Sequence, residues 1–306
     1  MQAAMIRQFG ADAAVQIASL PPLVPAAGEV LVRIEAAGVN PLDLKMIGGH
    51  MQAVFPARLP YIPGTDFAGR VEAAGPGAHG VQVGQRVVGR RAPGDGGAFA
   101  GYVLAPADTL VAIPDAMSFE QAAALPTGFG TARQALFDTG RLQRGQRVLV
   151  HAGAGGVGSF AVQLAKDAGA HVTATASARN LELLRDLGAD EAIDYVNDDF
   201  TRLPPFDLVL DTIGGDTAMR SWRVLREGGM LATLVDFAIA APAGRHGAFV
   251  FFAEATAALR EAVALFGKGE LAILIDSVHP LEQAGKALDR VASGHARGKV
   301  VIRTAR

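Results

Sequence analysis

One short stretch constrains the fold of this chain more than any other. Val148-Leu-Val150 is an apolar strand pattern, and Gly153-Ala-Gly155-Gly-Val-Gly158 follows it. Beyond the last glycines, Val157, Phe160, Ala161, Leu164, Ala165 and Ala168 fall at i, i+3, i+4, i+7, i+8 and i+11, the stripe of an amphipathic helix. Strand, glycine turn and helix together form a dinucleotide-binding arrangement. One glycine permits the tight turn, one admits backbone close to a pyrophosphate, and one lets helix and strand pack closely. The phosphates then face the N–H groups at the helix N-terminus. The glycine pattern alone is weak, because glycine is 37 of 306 residues and the pattern recurs at Gly75-Pro-Gly77-Ala-His-Gly80. That second copy contains a proline and leads into strand-like sequence, so it reads as a turn. No Gly-Lys-Ser/Thr follows Gly158, which excludes a P-loop.

The nucleotide can be read one strand further on. An NAD site places an acid about 20 residues after the glycines, to bind the ribose 2′-hydroxyl. Val172–Asn180 contains no acid; it offers Thr175, Ser177 and then Arg179. Hydroxyls beside a guanidinium suit a 2′-phosphate, so the expected cofactor is NADP(H). Gly153, Gly155, Gly156, Val157 and Gly158 are the expected pyrophosphate contacts.

The rest of the chain divides around this unit. Through residue 118 the pattern is short strands, such as Val30–Ala37, Arg70–Ala73 and Arg86–Gly89, punctuated by Gly/Pro turns. Ser118-Phe-Glu-Gln121 is a capping box, with an Ala-rich helix and a second helix after it. Strands at Arg147–His151, His171–Ala174, Glu191–Asp194, Asp207–Asp211 and Met230–Leu234 alternate with helices, which implies a parallel sheet. The tail returns to strand, helix over Leu281–Ser293, and strand over Lys299–Ile302; pattern alone leaves open whether it is a separate unit or completes the first domain.

Composition removes several function classes. The chain has no cysteine, so disulfide scaffolds and thiolate metal sites are excluded. A net charge of −2 gives no footprint for nucleic acid. No apolar run reaches the roughly 18 residues of a membrane helix, and residues 1–20 lack a signal-peptide core; a cytoplasmic protein without membrane contact is expected. His151 reads as a satisfied strand-end residue and Trp222 as core.

Seven stretches in order resemble the medium-chain dehydrogenase/reductase superfamily, in its zinc-free quinone oxidoreductase (zeta-crystallin-like) branch. They are Gly28–Arg33, Ala37–Asp43, Ile62–Gly69, Val83–Val87, Ala123–Pro126, His151–Gly158 and Arg297–Val301. The resemblance implies an α/β chain with a GroES-like β-barrel domain, 1–118 with 254–306, and a doubly wound Rossmann domain, 119–253. It implies an active site in the cleft between domains and a homodimer joined through the Rossmann sheet edge, for which Phe249–Phe252 is the candidate strand. Zinc relatives carry a ligand Cys where this chain has Asn40, and Gly-His-Glu where it has Gly64-Thr65-Asp66, so no metal is expected. By the same resemblance Asn40, Asp43 and Lys45 are placed at the substrate end and Thr131 near the nicotinamide. Tyr195 and Lys299 are placed at the cofactor. The implied activity is NADP-dependent hydride transfer to a small quinone or α,β-unsaturated carbonyl. Two alternatives stay open: an enoyl-thioester reductase, and a weakly catalytic NADPH-binding protein of crystallin-like or RNA-binding type.

Overall fold

The computed structural model describes residues 1–252 and 254–304. The chain forms two compact units, Met1–Thr127 with Ala253–Arg306, and Gly128–Phe252. The first crossing lies later than residue 118 because the helix begun by Ser118 packs on strands of the first unit. The second lies at Ala253, outside the described residues.

In the first unit β1 (Gln2–Met5) pairs with β2 (Gln16–Ser19). The central strand is β3 (Glu29–Val39), where Val30, Val32 and Ile34 are buried and Leu31, Arg33 and Glu35 half-buried. That alternation is the period-2 pattern of the sequence. Helix α1 (Pro41–Ile47) follows it. β4 (Asp66–Ala74) pairs antiparallel with β3, with register shifts at Leu31/Val32 and Ile34/Ala36. Such bulges bend a strand and let a small sheet curl. At one of them a Cβ on Gly69 would stand 2.0 Å from the Arg33 carbonyl oxygen, so only glycine fits. β5 (Arg86–Arg90) adds to β4, β6 (Tyr102–Pro106) to β3, and β7 (Val111–Ala112) to β5. Ile6, Ile34, Met46, Phe67 and Phe99 fill the interior. Helices α2 (Phe119–Ala123) and α3 (Leu125–Arg133) come next.

The second unit is a six-stranded parallel sheet. Its strands are β8 (Arg147–Val150), β9 (His171–Ala176), β10 (Glu191–Asp194), β11 (Phe206–Asp211), β12 (Leu225–Thr233) and β13 (His246–Phe249). Their spatial order is β10-β9-β8-β11-β12-β13, the doubly wound Rossmann order. Helices α4 (Gly158–Asp167), α5 (Leu181–Asp186) and α6 (Gly215–Ser221) make crossovers. Phe160, Ala161, Leu164 and Ala165 of the sequence stripe are buried, and so is Trp222.

The tail rejoins the first unit. After α7 (Thr256–Gly267), β14 (Ile275–Pro280) runs parallel to β15 (Lys299–Arg303), with α8 (Ala284–Ala292) between them. β15 pairs antiparallel with the second half of β3. The tail therefore completes the first domain.

Candidate active site

The glycine turn joins β8 to α4 in the second unit. Ala152 adopts a left-handed φ of +52°, a conformation that non-glycine residues seldom take. The Gly153 N–H donates to the Thr175 carbonyl at 2.9 Å, tying the turn to β9. A Cβ on Gly153 would lie 2.8 Å from Leu184 and 2.9 Å from Ala174, so this glycine permits close packing. A Cβ on Gly158 would lie 2.2 Å from the Ala152 oxygen, so this one permits the turn itself. A Cβ on Gly155 meets only the Ala152 oxygen, at 3.2 Å. Space is left above Gly155, as close approach of a phosphate requires. The N–H groups of Gly156 and Val157 ahead of α4, and of Gly158 at its start, have no partner within the helix. The turn therefore fits a dinucleotide pyrophosphate.

Beside it lie the ends of β9 and β10. The Tyr195 N–H donates to the Ala176 carbonyl at 3.1 Å, which sets Tyr195 next to Ser177. Arg179 is exposed in the turn after β9, and Tyr195 is exposed at the end of β10. Ser177 accepts from the Asn180 amide at 3.2 Å. Thr175 does not join this group. Its hydroxyl is buried, 3.2 Å from His151 Nδ1 and 3.3 Å from the Ala152 N–H. Thr175 lies within β9 and is buried, whereas Ser177 stands past the strand's last residue, Ala176, at the start of the following turn and is half-buried. His151 also meets the Ser221 hydroxyl at 3.0 Å through Nε2, and burial lowers its pKa to about 4. It is a neutral, satisfied strand-end residue.

Asn40, Asp43 and Lys45, expected at the substrate end, belong to the first unit, where five elements bring polar side chains together. Asn40 precedes α1, and its backbone N–H donates to Asp43 Oδ2 at 2.7 Å. Asn40 Nδ2 donates to Asp66 Oδ2 at 2.9 Å. Asp66, at the head of β4, also accepts from the Thr127 N–H at 3.0 Å, the Thr127 hydroxyl at 2.7 Å and the Thr65 hydroxyl at 2.9 Å. Arg90 of β5 lies 3.8 Å from Asp66 Oδ1. Lys299 of β15 donates to the Val39 carbonyl at 2.9 Å and to Asn40 Oδ1. Asn40, Asp43, Asp66 and Lys299 are all buried. Burial pushes the Asp43 carboxyl up to about 7, against the pull of its backbone hydrogen bond. Its Oδ1 has no hydrogen-bond partner. Burial lowers Lys299 and Arg90, opposed in both by the carboxylates of Asp66 and Asp43.

The structure also shows where the remaining candidate residues lie. The Lys299 amino group, expected at the cofactor, is turned into the first unit onto Asn40. Lys45 is half-buried on α1, and Thr131 is buried in α3. Tyr61 is buried with its hydroxyl on the Pro93 carbonyl at 2.6 Å, a packing role. Sequence reasoning missed Arg90 and Thr127. They meet Asp66 across 24 and 61 positions (90 − 66 and 127 − 66), a separation that carries no local signal. Asp66 entered the sequence reading only as part of Gly64-Thr65-Asp66, the stretch that stands where zinc relatives carry Gly-His-Glu.

These residues do not fit a zinc ion. The positions of zinc ligands hold an amide, a hydroxyl and one carboxylate, and these are already bonded to one another and to Lys299. Among the described residues no three His, Asp or Glu side chains converge as ligands.

Comparison with known proteins agrees with this geometry. The sequence matches the alcohol dehydrogenase GroES-like domain family over residues 26–115 and the zinc-binding dehydrogenase family over 187–302. It is 35% identical over 297 residues to the chloroplastic quinone-oxidoreductase homolog of Spinacia oleracea, covering 91% of this chain and 90% of that protein. It is 37% identical over 286 residues to the 2-methylene-furan-3-one reductase of Solanum lycopersicum, covering 90% and 71%. The solved quinone oxidoreductase of Coxiella burnetii superposes with a TM-score of 0.88 at 32% identity, over 100% of this chain and 99% of that one. The chain is thus an oxidoreductase of a family that uses nicotinamide cofactors, and it belongs to the medium-chain dehydrogenase/reductase superfamily, in its zinc-free quinone oxidoreductase branch.

Proposed function

We propose that this protein is an NADPH-dependent reductase that delivers hydride to a quinone or an α,β-unsaturated carbonyl compound. The observation that carries the cofactor choice is the group at the ends of β9 and β10. Arg179 and Tyr195 are exposed there, Ser177 is beside them, and no acid stands where an NAD site needs one. A 2′-phosphate gains a charge-assisted bond from Arg179, whereas a bare 2′-hydroxyl finds no acceptor carboxylate. Gly153 and Gly158 hold the turn and Gly155 leaves room for the pyrophosphate. When bound, the nicotinamide supplies the hydride; the chain's residues bind and orient.

The choice of acceptor follows from the donor set. With no metal to polarise an isolated carbonyl, the acceptor must spread its developing negative charge over a conjugated system. Quinones and enones do so. Asn40, with one N–H held by Asp66, supplies a neutral donor for the acceptor oxygen, and solvent supplies the proton. The names of the spinach and tomato relatives support both acceptor classes.

The test is steady-state oxidation of NADPH and NADH across ortho-quinones, para-quinones and short enones, with the Arg179→Ala variant beside wild type. Losing one charge-assisted bond of about 1.5–3 kcal/mol weakens NADPH binding roughly 10- to 100-fold and leaves NADH unchanged. Equal use of both cofactors by wild type refutes the cofactor assignment. Tight NADPH binding without turnover on any acceptor refutes the reductase.

A further inference from the structure

The amide of Asn40 is gripped at both ends. Lys299 donates to Oδ1, and one Nδ2–H is spent on Asp66 Oδ2 at 2.9 Å. Both partners are themselves fixed. Lys299 also donates to the Val39 carbonyl at 2.9 Å, and Asp66 is held by Thr127, Thr65 and Arg90. An asparagine amide carries two donors and one acceptor. Here the acceptor is occupied and one donor is used. Flipping the amide would set its N–H against the Lys299 donor and its oxygen against a carboxylate. Only one orientation is allowed, and it leaves one N–H unspent.

We infer that Lys299 and Asp66 are positioning residues that lock the Asn40 amide, so that it presents an N–H and never its carbonyl to the acceptor's oxygen. This rests on the reductase reading above and deepens it. A donor fixed beforehand stabilises charge that develops on a quinone or enone oxygen, without reorganising at the moment of reaction. A freely flipping amide would present its oxygen half the time and repel that charge. The lock therefore acts on kcat more than on acceptor affinity.

A double-mutant cycle tests this with Asn40→Ala, Lys299→Met and the pair, read as kcat and acceptor KM at saturating NADPH. Removing one preorganised donor costs on the order of 100-fold in rate. Asn40→Ala should lower kcat by about that factor, with KM within about threefold. Lys299→Met should lower kcat about tenfold in wild type, and by less than twofold when Asn40 is already alanine, because coupled residues are not additive. Equal losses in both backgrounds, or a loss carried by NADPH affinity, mean a merely structural lysine and overturn the proposal. Wild-type kcat in Asn40→Ala overturns it as well, while leaving the reductase reading intact.

A second measurement needs no variant at Lys299. The chain has three asparagines, Asn40, Asn180 and Asn197, so selective 15N-asparagine labelling yields three side-chain pairs. The Asn40 pair, identified by its loss in Asn40→Ala, should show two well-separated protons. The proton held by Asp66 should exchange slowly with solvent. Rapid solvent exchange of both protons refutes the lock even if no acceptor is ever turned over.

Discussion

Two buried side chains give the residue scale its clearest consequence. Burial raises the Asp43 carboxyl to about 7, whereas an unfolded aspartate titrates near 3.9. Between roughly pH 4 and 7 the folded chain keeps a proton that the unfolded chain has lost, so this contribution to stability falls as pH rises. Burial lowers His151 to about 4, whereas an unfolded histidine titrates near 6.5. Between roughly pH 4 and 6.5 the unfolded chain binds the extra proton, so this contribution rises with pH. The two slopes oppose each other at about 1.4 kcal/mol per pH unit each. Relative to wild type, Asp43→Asn should gain roughly 3 kcal/mol between pH 4.5 and 6.5, and His151→Gln should lose a similar amount. Urea titrations of both variants at three pH values in that window measure the two signs; slopes of the same sign would refute the assignment.

The fingerprint glycines separate at the same scale. Gly158→Ala places its Cβ 2.2 Å from the Ala152 oxygen, a backbone atom that cannot step aside. It should cost about 1–3 kcal/mol of stability as well as the cofactor. Gly155→Ala meets that oxygen at 3.2 Å and should keep its melting temperature within about 2 °C while losing NADPH affinity more than tenfold. Melting curves and NADPH fluorescence titrations on both variants distinguish turn geometry from phosphate clearance.

Among the elements, α2 shows how local chemistry fixes a helix that packing then uses. Ser118 Oγ accepts from the Gln121 N–H at 3.1 Å, and Gln121 Oε1 accepts from the Ser118 N–H at 2.9 Å. The reciprocal cap is the one the sequence announces. Phe119 beside it lies under the Arg86 guanidinium, 4.0 Å from the ring centroid. Ser118→Ala should cost about 1 kcal/mol, a fall of roughly 2–4 °C in Tm by calorimetry. An unchanged Tm would mean that packing alone defines the helix start. The edge of the parallel sheet was less legible. The sequence placed a strand at Phe249–Phe252; the strand is His246–Phe249, and only Phe249 belongs to both. An aromatic run marks apolar surface but not register. Register is set by pairing with β12, which matches Met230 to His246.

At the scale of the whole molecule, that edge supports self-association. Among the described residues β13 ends the sheet with one side unpaired, and Phe249 stacks on the exposed Phe237 at 4.0 Å between ring centroids. An exposed edge beside aromatic surface invites pairing with another chain. We propose a homodimer through β13. Phe249→Asp should shift wild-type dimer to monomer in sedimentation velocity at micromolar concentration; a monomeric wild type would refute it.

The sequence by itself determined the parallel sheet, its nucleotide turn and the absence of thiolate chemistry. The first two are read from periodicity and turn chemistry within each strand, turn and helix, and the third from composition alone. Only the tertiary structure decided that the tail closes the first domain, that Thr175 is buried and Ser177 only half-buried, and that Lys299 grips Asn40 from 259 positions away. The physical reason is the range of the interaction. A cap or a glycine turn is satisfied by its neighbours, whereas a buried amide must take its partners from whichever strands the completed sheet brings beside it.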